Sequence, residues 1–226
     1  MKIGILQTGR TPNEIREANG DYDDMFKSLL AGRGFTFETY PVLDGVFPAS
    51  VNKADGWLVT GSKFGVYEDH DWIAPLENFL RQAFAAEVPI VGVCFGHQIL
   101  AQALGGKVEK FSGGWQVGAT DYQRADGTKE CIIAWHQDQV TELPEGAEVL
   151  GASEHCAYAM VSYGNRALTV QPHPEFTGPF MADLLGARGD ILPDNILSGA
   201  QDRIGDTLTS LDYAQRFEDF FKASSL

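Results

Sequence analysis

Cysteine is scarce in this chain: of 226 residues only Cys94, Cys131 and Cys156 carry a thiol. Three scattered thiols build neither a disulfide framework nor a paired metal-thiolate site, so no metal is expected and a reducing compartment fits best. Long apolar runs are absent too. No stretch approaches the roughly 18 residues of a membrane span, and Met1-Lys2-Ile3-Gly4-Ile5-Leu6 reaches a polar turn too soon for a signal peptide. A cytoplasmic protein without a membrane partner is expected. Positive charge is also in short supply, with 17 Lys and Arg residues against 31 Asp and Glu, for a net charge of -14 and a pI near 4.6. So acidic a surface repels phosphate backbones, and nucleic acid is not an expected partner. Internal repeats, biased tracts and linkers are missing as well, so residues 1–226 are expected to form one domain.

What is present alternates between strand and helix in the first hundred residues. Ile3 to Leu6 is a short apolar run, and Tyr22, Met25, Phe26, Leu29 and Leu30 follow at helical spacing. Phe35 to Tyr40 and Trp57 to Thr60 read as strands, and Trp72, Leu76, Phe79, Leu80 and Ala83 mark one face of a second helix. Pro89 to Val93 is a buried strand, and Gln98 to Leu104 a helix that stops at Gly105-Gly106. From about Val108 to Val170 short β-like runs take over: Val117 to Tyr122, Cys131 to Trp135, Val149 to Ala152, Ala157 to Val161 and Ala167 to Val170. Helices return around Phe180 to Leu185 and Tyr213 to Phe221. This order predicts right-handed crossovers and a three-layer α/β/α domain on a mixed, mainly parallel central sheet. Functional groups in such sheets gather beyond the carboxyl ends of the strands.

Cys94 lies at such an end, on the turn between the strand and the helix. Gly92 and Gly96 flank it at the spacing of the G-x-S-x-G nucleophile elbow, where missing side chains let strand and helix pack around a strained residue. The helix N-terminus behind the sulfur favours the thiolate and offers N–H groups to an oxyanion. An inert buried thiol is the competing reading of so short a pattern. A cysteine nucleophile also needs a base with an orienting partner. Of the histidines, His97 lies three residues after Cys94 at the start of the helix, where its side chain is expected to point away from the sulfur. His173, between Pro172 and Pro174 after an apolar strand, is better placed, with Glu175 available to hold its ring. Locally, a turn histidine beside a surface glutamate is as good a reading.

Taken together, GVCFGHQ from Gly92 to Gln98, LGG from Leu104 to Gly106 and HPE from His173 to Glu175 resemble the class I (triad) glutamine amidotransferase family over most of the chain. The resemblance implies that family's flavodoxin-like fold, with Cys94 as nucleophile, His173 as base and Glu175 as its orienting acid. It implies hydrolysis of the γ-glutamyl amide of glutamine through a γ-glutamyl thioester, releasing ammonia without a cofactor. Ser62 stands in the oxyanion loop, so its N–H is expected to join that of Phe95. Gly61, Gln98, Trp115, Gln116 and His136 fall where the family holds its substrate, and Trp135-His136-Gln137-Asp138 resembles a segment of the GMP synthase glutaminase domain. Two departures stand out. The oxyanion loop reads Gly61-Ser62-Lys63 where Gly-Gly-Pro is usual, and no synthetase domain is recognisable in the 226 residues. A separate synthetase subunit is therefore a candidate partner. The same features resemble stand-alone γ-glutamyl peptidases, which act on peptides such as glutathione. Glutamine is expected ahead of peptides, and a non-catalytic binding or redox-sensing member is the alternative of another class.

Overall fold

A computed structural model of the protein describes residues 1–224. The chain opens with β1 (Lys2–Leu6), the short helix α1 (Asn13–Asn19), α2 (Tyr22–Leu29), β2 (Thr36–Tyr40) and β3 (Gly56–Val59). α3 (Ile73–Ala85), β4 (Ile90–Val93) and α4 (Phe95–Ala103) complete the alternating half. Seven strands follow before the next helix, beginning with β5 (Lys107–Lys110), β6 (Gln116–Arg124), β7 (Lys129–His136), β8 (Asp138–Glu142), β9 (Glu148–Ala152) and β10 (Met160–Ser162). β11 (Ala167–Val170) then leads to α5 (Gly178–Arg188), α6 (Asp194–Asp202) and α7 (Leu211–Ala223).

Nine strands form one mixed sheet in the order β2-β1-β3-β4-β11-β10-β9-β6-β7. The five strands from β2 to β11 run parallel, and the pairings from β11 to β7 are antiparallel. In the parallel half both faces are covered, and side chains alternate between two cores as the strand period requires. Trp57, Val59 and Ile90 pack with Leu76, Phe79, Leu80, Ile99 and Leu100 of α3 and α4. Leu58, Val91 and Val93 pack with Phe26 of α2 and with Tyr213, Phe217 and Phe221 of α7. This is the three-layer α/β architecture the alternation predicts. Across the first core, Phe79 meets the Trp57 ring edge-on at 4.8 Å, a contact worth about 0.5–1.5 kcal/mol beyond its area.

Asp21 heads α2 with a capping box: its carboxylate accepts from N–H groups of the first turn, and Asp24 accepts from the Asp21 N–H. Three features depart from the sequence expectation. The elbow helix starts at Phe95, three residues before Gln98. The run from Ala157 to Val161 becomes a strand only at Met160, after a turn closed by Ser153 and Cys156. β5 and β8 form a separate two-stranded sheet, and too few of their residues are apolar to show alternation.

Candidate active site

Parallel neighbours end on one edge of the sheet, and the turns after β1, β3, β4 and β11 therefore converge there. Val93 pairs with Val170, so Cys94 follows the end of β4 alongside the end of β11. Cys94 has φ 52° and ψ -103°, a left-handed conformation that costs a residue with a Cβ about 1–3 kcal/mol. The Cys94 N–H donates to the Val170 carbonyl at 2.9 Å, and its carbonyl accepts from the Gln98 N–H at 3.0 Å, which pins the turn. The two glycines explain the spacing. A Cβ on Gly92 would stand 2.5 Å from the Gly96 carbonyl oxygen, and one on Gly96 would stand 2.4 Å from that of Val59. Strand and helix approach this closely only without those side chains.

The imidazole and the thiol meet across Gly61. A Cβ there would fall 2.8 Å from His173 Cε1 and 3.7 Å from Cys94 Cβ. His173 Nδ1 pairs with Glu175 Oε1 at 2.7 Å, with both side chains almost wholly buried. That leaves Nε2 for the sulfur. The His173 N–H donates to the Ile133 carbonyl at 2.8 Å, and the ring lies flat on Phe176 at 4.1 Å and 5°. Burial alone would push protons off this imidazole, but the charges of Glu175 and Cys94 outweigh it and lift its pKa to about 10.

The loop after β3 is fastened to the turn after β1. The buried Thr8 hydroxyl bonds the Thr60 and Gly61 carbonyls at 2.9 and 3.1 Å, and Ser62 Oγ donates to the Thr8 carbonyl at 2.8 Å. Ser62 Oγ also accepts from the Phe64 N–H at 3.3 Å, so the serine that replaces the usual glycine closes the loop on itself. Phe95 is the first residue of α4, and its N–H is among those a helix leaves without an intrahelical acceptor.

A cavity of about 610 Å³ opens over Cys94, with Ser62, Gln98, Trp115, His136 and His173 in its wall. Gln98 is committed to the protein, its amide donating to the Asp138 carbonyl at 2.8 Å and to Gln171 at 3.0 Å. Gln116 bonds Ser153 at 3.2 Å and is not part of the wall. His136 is buried, and burial, then the charge of His173, hold its pKa down at about 3 against a weak backbone contact with Asp138. It is a neutral ring in the cavity wall. His97 turns away from the cavity, with Nδ1 2.8 Å from the Thr169 hydroxyl. Trp57 and Trp72 are core residues, while Trp115 and Trp135 are wall residues.

Tyr22 and Phe176 were not singled out as site residues by the sequence. Tyr22 lines the cavity, its ring 5.9 Å from Phe176, and its phenol pKa is raised by burial and by the charges of Cys94 and Glu175. At helical spacing it reads simply as core. Phe176 lies three residues after His173, and only the turn geometry brings its ring under the imidazole.

The structure thus places a strained elbow cysteine and a His-Glu pair together on the edge of a parallel sheet in an α/β protein. The family profile described as Glutamine amidotransferase class-I matches residues 22–183, and the chain belongs to that family. Gamma-glutamyl peptidase 5 of Arabidopsis thaliana is 33% identical over 186 residues, spanning 76% of this chain and 74% of that one. A glutamine-hydrolyzing GMP synthase of Caldicellulosiruptor saccharolyticus is 31% identical over 195 residues, spanning 78% of this chain but 37% of that one. The crystal structure of a glutamine amido transferase from Methylobacillus flagellatus superposes with a TM-score of 0.81 at 20% identity, covering 99% of this chain and 93% of that one. Among the described residues no helix is long and apolar enough to cross a membrane.

Proposed function

We propose that the protein hydrolyses γ-glutamyl amide bonds through a γ-glutamyl thioester on Cys94, with His173 as base and Glu175 as its orienting acid. The observation that carries this reading is the strained Cys94 turn facing the buried His173-Glu175 pair beneath a cavity. The sulfur attacks the γ-carbonyl carbon, and the carbonyl oxygen takes the developing charge towards the N–H groups of Phe95 and Ser62. Donors of this kind are worth about 3–4 kcal/mol each. His173 gives a proton to the departing amine as the C–N bond breaks. Glu175 keeps Nδ1 engaged, so Nε2 is the nitrogen that transfers. Water, deprotonated by His173, then attacks the thioester carbonyl and releases glutamate and the free thiol.

The choice of leaving group draws on the relatives rather than on the size of the cavity. About 610 Å³ falls within the range of about 300–1,000 Å³ typical of small-molecule sites. We place a γ-glutamyl peptide ahead of glutamine as substrate, the reverse of the order expected from the sequence. The alignment to a gamma-glutamyl peptidase over most of its length supports the same choice. Glutaminase activity feeding a separate synthetase subunit is the second reading, supported by the alignment to part of a GMP synthase.

Incubating the purified protein with glutathione and with glutamine, and assaying glutamate and ammonia, separates the two. A kcat/KM for glutathione at least about tenfold higher, or roughly 1.4 kcal/mol in transition-state binding, is expected. Equal values or a preference for glutamine would restore the glutaminase reading, and no hydrolysis of either would remove both.

A further inference from the structure

Charge in the cavity runs against the charge of the molecule. The protein carries -14, yet Arg10, Arg16, Lys63, Lys110 and Arg188 line the cavity against only two carboxylates, Glu68 and Asp138. Most of these charges are already answered. Arg10 pairs with Asp44, Arg16 lies 3.9 Å from Asp21, and Arg188 lies 3.3 Å from Glu14. Glu68 accepts from the Gly65 N–H at 2.8 Å and meets His70 at 2.8 Å, and Asp138 accepts from the Tyr67 hydroxyl at 3.0 Å. Lys63 and Lys110 are left. Neither makes an ion-pair contact among the described residues: Lys63 lies 5.1 Å from the Phe64 ring centroid, and Lys110, which ends β5 opposite Asp138, acts on that carboxyl only through space.

They reach the cavity from different elements. Lys63 follows Ser62 on the loop that borders Cys94, and Lys110 projects from the small two-stranded sheet. Lys63, with no carboxylate contact, and Lys110, offset only by Asp138 from beyond ion-pair distance, are exposed ammoniums on the wall of a site in an otherwise repelling protein, and together they form a receptor for an anion.

We infer that Lys63 and Lys110 select a leaving group that carries a free carboxylate, so that the amine released is an amino acid or short peptide rather than ammonia or an uncharged amine. This rests on the γ-glutamyl hydrolase reading and adds the identity of the group beyond the scissile bond. The usual proline of the oxyanion loop could not provide this charge, which gives the Lys63 departure a purpose.

The test compares γ-glutamylglycine with its C-terminal carboxamide, which differs only in the charge at the far end. At low salt the wild type is expected to prefer the acid by about three- to tenfold in kcat/KM, the range two partly exposed ion pairs supply. The preference should shrink as ionic strength rises towards about 1 M, where screening acts within about 3 Å. In the K63Q/K110Q double variant the acid-to-amide ratio should fall to about one. Equal kcat/KM for acid and amide in the wild type, or a ratio that survives in the double variant, would overturn the inference. Calorimetric binding of both compounds to Cys94→Ala protein, with and without the lysine substitutions, gives the same comparison without turnover. A binding preference for the acid that vanishes with the lysines supports the inference even if hydrolysis fails, and its absence overturns it.

Discussion

At the scale of single residues, the proposed chemistry turns on His173. Replacing it with Ala should lower kcat/KM by about 10²- to 10⁴-fold, the usual contribution of a positioned acid-base group, while Glu175→Gln should cost less because it orients rather than transfers. Full turnover in His173→Ala would remove the base. With its pKa lifted to about 10, His173 keeps the proton needed by the leaving amine through neutral pH, so the alkaline limb of kcat/KM should fall near pH 10. A limb near its ordinary value of 6.5 would contradict the pairing with Glu175. Gly61→Ala brings a methyl to 2.8 Å from His173 Cε1 and should depress turnover while leaving most of the stability in place. Cys94, His173 and Glu175, the residues proposed to act, could be picked out from sequence because two distant short patterns together resembled one family, although each pattern alone was ambiguous. The cavity wall could not. Gln116 sits on a strand, where the choice of face depends on register, and it turns to Ser153. Thr8, Tyr22 and Phe176 gain their roles from contacts with partners on other turns and helices, which no local pattern encodes.

At the scale of elements, the elbow is where strand and helix contact is tightest. Gly96→Ala places a methyl 2.4 Å from the Val59 carbonyl oxygen in two buried elements that cannot both yield, and should destabilise the fold by about 1–3 kcal/mol. Unchanged chemical denaturation would show that the helix retreats freely and that the spacing does not need glycine. Elements with strong apolar periodicity, β1, β3, β4, α3 and α7, were legible because each buries a continuous face in a core. α1, with no buried residue, and the charged strand β5 gave no such signal. α6 buries only Ala200, and its weak apolar pattern left it unrecognised as well.

Taken as a whole, the protein holds buried histidines whose protonation opposes one another. His97 and His136 have pKa values pushed down to about 3, chiefly by burial, so they stay neutral when folded but charge near 6.5 when unfolded. Each therefore removes up to about 1.4 kcal/mol of stability per pH unit as pH falls from about 6.5 towards 3. His173 acts in the other window: its raised pKa contributes stability that is full below about 6.5 and is lost as pH climbs towards 10. The three together place their stability maximum near pH 6.5. Urea midpoints that decline on both sides of that value are expected, with the acid slope reduced in His97→Gln. A midpoint that rises steadily to about pH 9 would contradict the charge states assigned to the site.

The parallel sheet, the elbow and the buried His-Glu pair all converge on one sulfur. The most direct measurement is peptide-resolved mass spectrometry after reaction with a diazo-ketone analogue of glutamine. The account predicts a single adduct on Cys94, formed in proportion to loss of activity, blocked by a γ-glutamyl peptide and absent from Cys94→Ser. Labelling at Cys131 or Cys156, or undiminished hydrolysis after Cys94 is fully modified, would contradict it.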